Sequence, residues 1–255
     1  MGDKEKRVRM RLENVSKSYQ NKNKRIEVVN QISFEVYDNE FLVILGPGLC
    51  GKTVLLNMIA GIEQPDSGEI LLDGTRVDQA DCQIGMVFQK MALMPWKTVM
   101  ENVEIGLKLA GMEKKRRREI CQKYIDLVGL QGFESAYPAQ LSGGMKQRVG
   151  IARAYAVNPK ILIMDEPFGQ LDAQTRYQME DEILKIWEKE KRTVIFVTNN
   201  IEEALYLGDR IILLEKRPAA IRETFDISLQ RPRDMMDEKF INKRTEISDK
   251  MDLAL

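Results

Sequence analysis

The sequence predicts an α/β fold. Short apolar runs of strand length recur along it, and helix-periodic stretches separate them. From about residue 91 to 159 the strands give way to helical periodicity alone, which predicts a helical insert in a strand-bearing core.

Taken in order, residues 9–15 and 32–36 alternate apolar and polar side chains, as half-buried strands do. Residues 41–45 (FLVIL) are continuously apolar and run into glycines, the pattern of a buried strand entering a loop. A helix is predicted over 53–60, with Gly61 as its C-terminal stop. Residues 69–72 before Asp73-Gly74 read as a strand and tight turn, and 84–88 as a further buried strand. Helices follow over 99–109 and 117–128, separated by Gly111 and the basic run 114–118, which reads as a solvated helix start. A strand over 160–164, a long helix over 175–191, a strand over 193–198, a short helix over 201–207 and a strand over 210–214 come next. The tail beyond Arg217 is charged and broken by Pro218 and Pro232, with a last, peripheral helix near 238–252. The whole reads as a single domain over 1–255. Its core is about 1–90 and 160–235, its helical subdomain about 91–159 and its C-terminal helical tail about 236–255.

Lys plus Arg and Asp plus Glu both number 39, a balance that argues against a nucleic-acid binder. Cys50, Cys82 and Cys121 are odd in number and irregular in spacing, so neither a disulfide framework nor a zinc site is expected, and a reducing compartment fits. No signal peptide is expected at the N-terminal end, and the pattern around Gly2 lacks the Ser or Thr of a myristoylation site. No apolar run is long enough to cross a bilayer, so a membrane role needs a partner that supplies the spans. The chain contains no histidine, which excludes a His base, a His metal ligand and a Ser-His-Asp triad within it.

Gly46-Pro47-Gly48-Leu49-Cys50-Gly51-Lys52-Thr53 fits G-x4-G-K-[ST] between a predicted buried strand and a predicted helix. Glycines let successive N–H groups face one anion, and the helix N-terminus adds its positive end. Lys52 can then reach β- and γ-phosphates, and the Thr53 hydroxyl can bind Mg²⁺. A chance glycine-rich turn is the alternative. Residues 161–166 form the complementary piece: an apolar strand delivers Asp165 to a Mg²⁺ shell, and Glu166 follows as a candidate general base.

Leu141-Ser142-Gly143-Gly144-Met145-Lys146-Gln147-Arg148 then resembles the signature of ABC ATPases. Physically, a Ser-Gly-Gly turn opening a helix makes a second phosphate cradle from a hydroxyl, bare N–H groups and a dipole. A plain helix cap is the other reading for Ser142. The resemblance implies a P-loop NTPase ABC cassette with a RecA-like core, an antiparallel β subdomain and an inserted helical subdomain. It also implies ATP and Mg²⁺ as cofactors. Tyr19 matches the family's adenine-stacking aromatic, a strand-edge tyrosine being the alternative. Gln89 matches the glutamine that senses Mg²⁺ and γ-phosphate, and Gly169-Gln170-Leu171-Asp172 resembles the loop at the dimer seam. In that family two subunits pair head to tail, so Ser142, Gly143, Gly144 and Gln147 would act on the partner's nucleotide.

Leu93-Met94-Pro95-Trp96, the segment 168–176 and the tail motif 229–234 (LQRPRD) are similar to the nitrate, sulfonate and taurine importer ATPases. This resemblance implies a subunit peripheral to the cytoplasmic face of the membrane. Its partners would be integral permease subunits, a second ATPase subunit (a homodimer, with a heterodimer as the alternative) and, indirectly, a solute-binding protein. The apolar stretch 91–96 is either a permease-docking surface or a gap filler around Trp96. Three departures concern the motor. Asn199 stands where the family has its switch histidine, and Asn200 where it has Asp; Leu49 replaces a usual Gly, and Val54 a usual Ser or Thr. Losing one preorganised donor to developing charge costs roughly 10²–10³ in rate. Slow hydrolysis with binding retained is therefore expected. The remaining alternatives are a regulatory subunit that binds ATP without turning it over and an ABC protein without a permease.

Overall fold

The computed structural model describes residues 7–21, 24–89 and 92–252. Gly2 and Met91 lie outside them, as do 253–255 of the predicted tail. The chain divides into two compact units, Met1–Asp81 with Arg192–Leu255, and Cys82–Lys191.

In the first unit, β1 (Val8–Asn21) and β2 (Lys24–Tyr37) pair antiparallel, and β1 also pairs with β4 (Ser67–Leu72). β4 turns through Asp73 and Gly74, both left-handed, into β5 (Thr75–Arg76), giving the sheet order β2-β1-β4-β5. Two consecutive left-handed residues make the hairpin turn whose twist matches the strands. The second sheet of this unit is built on β3 (Phe41–Leu45), every residue of which is buried. β3 lies parallel to β8 (Thr193–Thr198) on one side and β9 (Arg210–Leu214) on the other. β10 (Ile221–Asp226) pairs antiparallel outside β9. The sequence pattern did not predict it, because only Phe225 and no alternating series of side chains is buried there.

From β3 the chain enters α1 (Lys52–Ile59), which stops at Gly61 in the left-handed conformation. A Cβ there would lie 2.4 Å from the Gln79 carbonyl oxygen, so glycine is required twice over. α7 (Ile201–Leu207) leaves β8, and α8 (Glu238–Asp252) follows β10 and packs on α7, burying Phe240 and Ile247.

In the second unit, β6 (Ile84–Val87) and β7 (Ile161–Asp165) run parallel. The predicted helix over 99–109 is two short ones, α2 (Val99–Val103) and α3 (Ile105–Leu109), meeting at Glu104. Glu104 is buried against Arg117, at 2.9 Å, and this pairing fixes the junction. Arg117 sits on α4 (Lys114–Leu127), which starts three residues before the predicted start because Glu113 accepts from the N–H groups of Lys115 and Arg116. α5 (Gly143–Ala156) and α6 (Ala173–Glu190) complete the unit.

Candidate functional site

Parallel strands deliver their C-terminal ends, and the loops beyond them, to one edge of a sheet. In the first unit that edge carries two candidate groups. Leu45 of β3 pairs in register with Thr198 of β8, and the Gly46 N–H donates to the Thr198 carbonyl at 3.3 Å. The loop 46–53 and the pair Asn199–Asn200 therefore leave adjacent strand ends.

Within the loop, Gly51 has φ 114°, and a Cβ there would approach the Val28 carbonyl oxygen to 2.8 Å. Only glycine fits. Lys52 is 5% exposed, and its Nζ donates to the carbonyls of Gly46 and Pro47 at 2.8 and 2.9 Å. The ammonium is thus held at the loop's centre, beside the first turn of α1, with Thr53 exposed and Val54 half-buried. Cys50 is buried below, and Gly48 has open space around it. Backbone N–H groups, a buried ammonium and a helix N-terminus are all donors or positive ends, a set that fits a phosphate chain.

Leu49 takes the left-handed conformation itself, with φ 63°, whereas Gly48 does not. The conformation that costs an L-residue about 1–2 kcal/mol thus falls on the position where the resemblance leads one to expect glycine. Arg217 Nε donates to the Leu49 carbonyl at 2.9 Å, and the Leu49 side chain is 81% exposed.

Tyr19, near the end of β1, is half-exposed, and its hydroxyl donates to both Glu63 carboxylate oxygens at 2.6 and 2.7 Å. Burial, then Glu63, pushes the phenol up to about 12, so it stays protonated. Lys17 bridges Glu63 and Asp66, both at 3.3 Å. Glu63 stands just beyond α1, so the ring is tied to the helix that leaves the loop. Sequence pattern alone had no signal for Glu63 or Arg217, since both act across long separations.

Asn200 caps α7: its Oδ1 accepts from the N–H groups of Glu202 and Glu203 at 2.8 and 3.2 Å. Asn199 is exposed, and its side chain makes no hydrogen bond among the described residues.

In the second unit the register Val87 to Met164 brings Gln89 and Glu166 to the same strand ends, and Gln89 Nε2 donates to Glu166 Oε2 at 3.2 Å. Asp165 is buried, and Glu166 is left-handed at φ 40°. Arg153 on α5 donates to the Ala92 carbonyl at 2.8 Å, anchoring the chain just after Gln89. Ser142 caps α5, its Oγ accepting from Met145 N–H at 3.3 Å, with Gly143 and Gly144 as the first helical residues. Gln147 lies on the buried face of that helix, and its Nε2 has no hydrogen-bond partner among the described residues. Asp172 caps α6 by accepting from Thr175 N–H at 3.0 Å. Trp96 is 73% exposed, with Phe88 and Tyr137 also exposed in this unit.

Comparison with known proteins places this geometry. Residues 29–169, more than half of the chain, match the family model described as ABC transporter. An uncharacterised ABC transporter ATP-binding protein of Methanocaldococcus jannaschii is 50% identical over 94% of this chain and 90% of its own length. The taurine import ATP-binding protein TauB of Rhizobium johnstonii is 46% identical, over 81% of this chain and 79% of its own. Among solved structures, a dimeric ATP-binding cassette in a post-hydrolysis state, bound to ADP and Pi, has a TM-score of 0.76 at 31% identity. That match covers 87% of this chain and 100% of the other.

Proposed function

The chain belongs to the ABC transporter family, and on that premise we propose that it is the ATP-hydrolysing subunit of a membrane importer for a small solute, of the nitrate, sulfonate and taurine importer kind. The observation that carries the reading is the loop 46–53. Gly51 is forced to φ 114°, and Lys52 is buried on the loop's own carbonyls at the C-terminal end of β3. ATP phosphates take the N–H groups of 48–53 and the Lys52 ammonium, and Tyr19, oriented by Glu63, offers its ring to adenine.

No group of three or more His, Cys, Asp or Glu side chains able to hold a metal ion occurs among the described residues. Mg²⁺ needs no such cage. It takes one or two carboxylates and fills its shell with neutral oxygens, phosphate and water. Thr53, Asp165 and Gln89 are the residues assigned to it. Glu166, oriented by Gln89, is the base that polarises water. Ser142, Gly143 and Gly144 of one subunit serve the nucleotide of a second cassette; Gln147, expected there too, lies instead on the buried face of α5. A homodimer is the assembly assigned, with a heterodimer as its alternative.

No described helix is long and apolar enough to cross a membrane. The spans come from permease subunits docked at the exposed Trp96 surface, which places this subunit on the cytoplasmic face, with a solute-binding protein coupled indirectly. Copurification with a multi-span membrane protein, lost in Trp96→Asp, tests the docking; capture unaffected by that change overturns it.

Two features favour slow turnover: Asn199 at the switch position, and the left-handed Leu49. A single-turnover ATPase assay of Asn199→His is the test. A rise of at least ~10-fold at equal ATP affinity is expected, since one preorganised donor is worth roughly 10²–10³. An unchanged rate refutes the assignment.

A further inference from the structure

The tail motif 229–234 is a clamp on α7. Arg233 is 6% exposed, and its Nη1 donates to three carbonyls at the C-terminal end of that helix: Leu205 at 2.6 Å, Tyr206 at 3.0 Å and Gly208 at 2.7 Å. Its Nε returns to the Leu229 carbonyl at 3.2 Å, closing the motif on itself. Arg231 donates to the Leu207 carbonyl and to Asp209. Asp209 in turn accepts from Phe41 N–H at 2.9 Å, at the start of β3. The last carbonyls of a helix have no intrahelical donors, and cations there suit the helix dipole. Burial, with help from neighbouring Arg231, pushes the Arg233 guanidinium down to about 10, still charged at neutral pH.

α7 has only seven residues, too few to hold itself in water. Its other end is the Asn200 cap, one residue from Asn199. Thr198 Oγ1 donates to Glu203 Oε2 at 2.6 Å, which fixes the helix to the end of β8. On its flank, Arg244 of α8 pairs with Glu202 at 2.7 Å. A crevice of about 480 Å³ between α7 and α8 is lined by Asn199, Asn200, Glu202, Arg244, Ser248 and Asp249.

We infer that the segment 229–252 sets the position of Asn199, with Arg233 and Arg244 as positioning residues for hydrolysis that touch no nucleotide themselves. The inference rests on the reading of Asn199 as the switch residue. A helix gripped at its C-terminus, flank and cap can neither slide nor rotate without moving the residue before the cap. A displacement of 1 Å at a reacting centre costs on the order of 10²-fold in rate.

The test is a single-turnover ATPase cycle on the full chain with Arg233→Lys, Arg244→Ala and Arg244→Lys, each alone and with Asn199→Ala. The same proteins are titrated with an ATP analogue and melted thermally. Asn199→Ala alone should slow turnover. Arg233→Lys and Arg244→Ala should each slow it by ~10-fold with ATP affinity within about twofold, and Arg244→Lys should retain the rate. Neither change should slow the Asn199→Ala protein further. Arg244→Ala, a partly exposed change, keeps the test open if Arg233→Lys fails to fold. A slow Asn199→Ala with unaffected arginine variants, or with losses that multiply in the double variants, overturns the clamp alone. A rate unchanged in Asn199→Ala overturns the switch reading and the clamp with it.

Discussion

Replacing Leu49 by glycine should stabilise the protein. At φ 63°, Leu49 carries a left-handed penalty of about 1–2 kcal/mol. Its side chain is 81% exposed, so truncation removes almost no buried surface. The Arg217 bond goes to the backbone carbonyl and survives the change. Against this, glycine gives the unfolded chain extra freedom worth roughly 0.4–1 kcal/mol. The balance is a gain of about 1 kcal/mol at most sites of this kind, or ~2–4 °C in Tm for a chain of this size. Thermal melts without nucleotide measure it. Leu49→Ala is the control, because alanine keeps the Cβ that causes the penalty, and its effect should stay within about 0.5 kcal/mol. A fall in Tm for the glycine variant, or an equal rise for the alanine variant, would show that backbone handedness is not the cause.

Lys52→Ala should weaken binding of a fluorescent ATP analogue by roughly 10–100-fold, since a charge-assisted bond is worth about 1.5–3 kcal/mol; affinity within threefold of the parent would refute its role. Asn200→Ala should cost about 1 kcal/mol in denaturant unfolding through the lost cap, while Asn200→Asp keeps it. Asp66 is held below the usual carboxylate range, chiefly by the Ser18 N–H and then by Lys17. A depressed carboxylate contributes stability that is complete above about pH 4 and is lost as pH falls through its folded value. Tm against pH should therefore fall less steeply on the acid side in Asp66→Asn.

Elements whose own burial marks them were legible in the sequence. Strands 41–45, 193–198 and 210–214 and helices 201–207 and 238–252 keep their predicted bounds. The first three are apolar runs, and helix 201–207 lies between Asn200 and Gly208. β1 and β2 extend beyond 9–15 and 32–36 because the first four residues of β2 are exposed and owe their conformation to the opposite strand. That information lies in pairing, not in local pattern. β10 was missed for the same reason. The candidate site divides similarly. The loop 46–53 and the pair Asp165–Glu166 are each contiguous in sequence, because each is delivered by the end of a single strand. Glu63, Arg217 and Arg153, and Arg233 in its bonds to α7, act on residues 25 to 168 positions away. No spacing rule reaches that far.

The consecutive asparagines show how the fold separates structure from chemistry. At 200, the amide oxygen accepts the two N–H groups that an aspartate would take, so the helix start is kept and only a charge is lost. At 199, the side chain is exposed and unengaged among the described residues, so nothing in the fold depends on its being asparagine. An exposed position of this kind tolerates substitution within about 0.5 kcal/mol. A rate change in Asn199→His would therefore report the chemistry of the introduced imidazole and not a repaired fold. The cap at 200 and the arginines at the far end of α7 would hold either side chain in the same place.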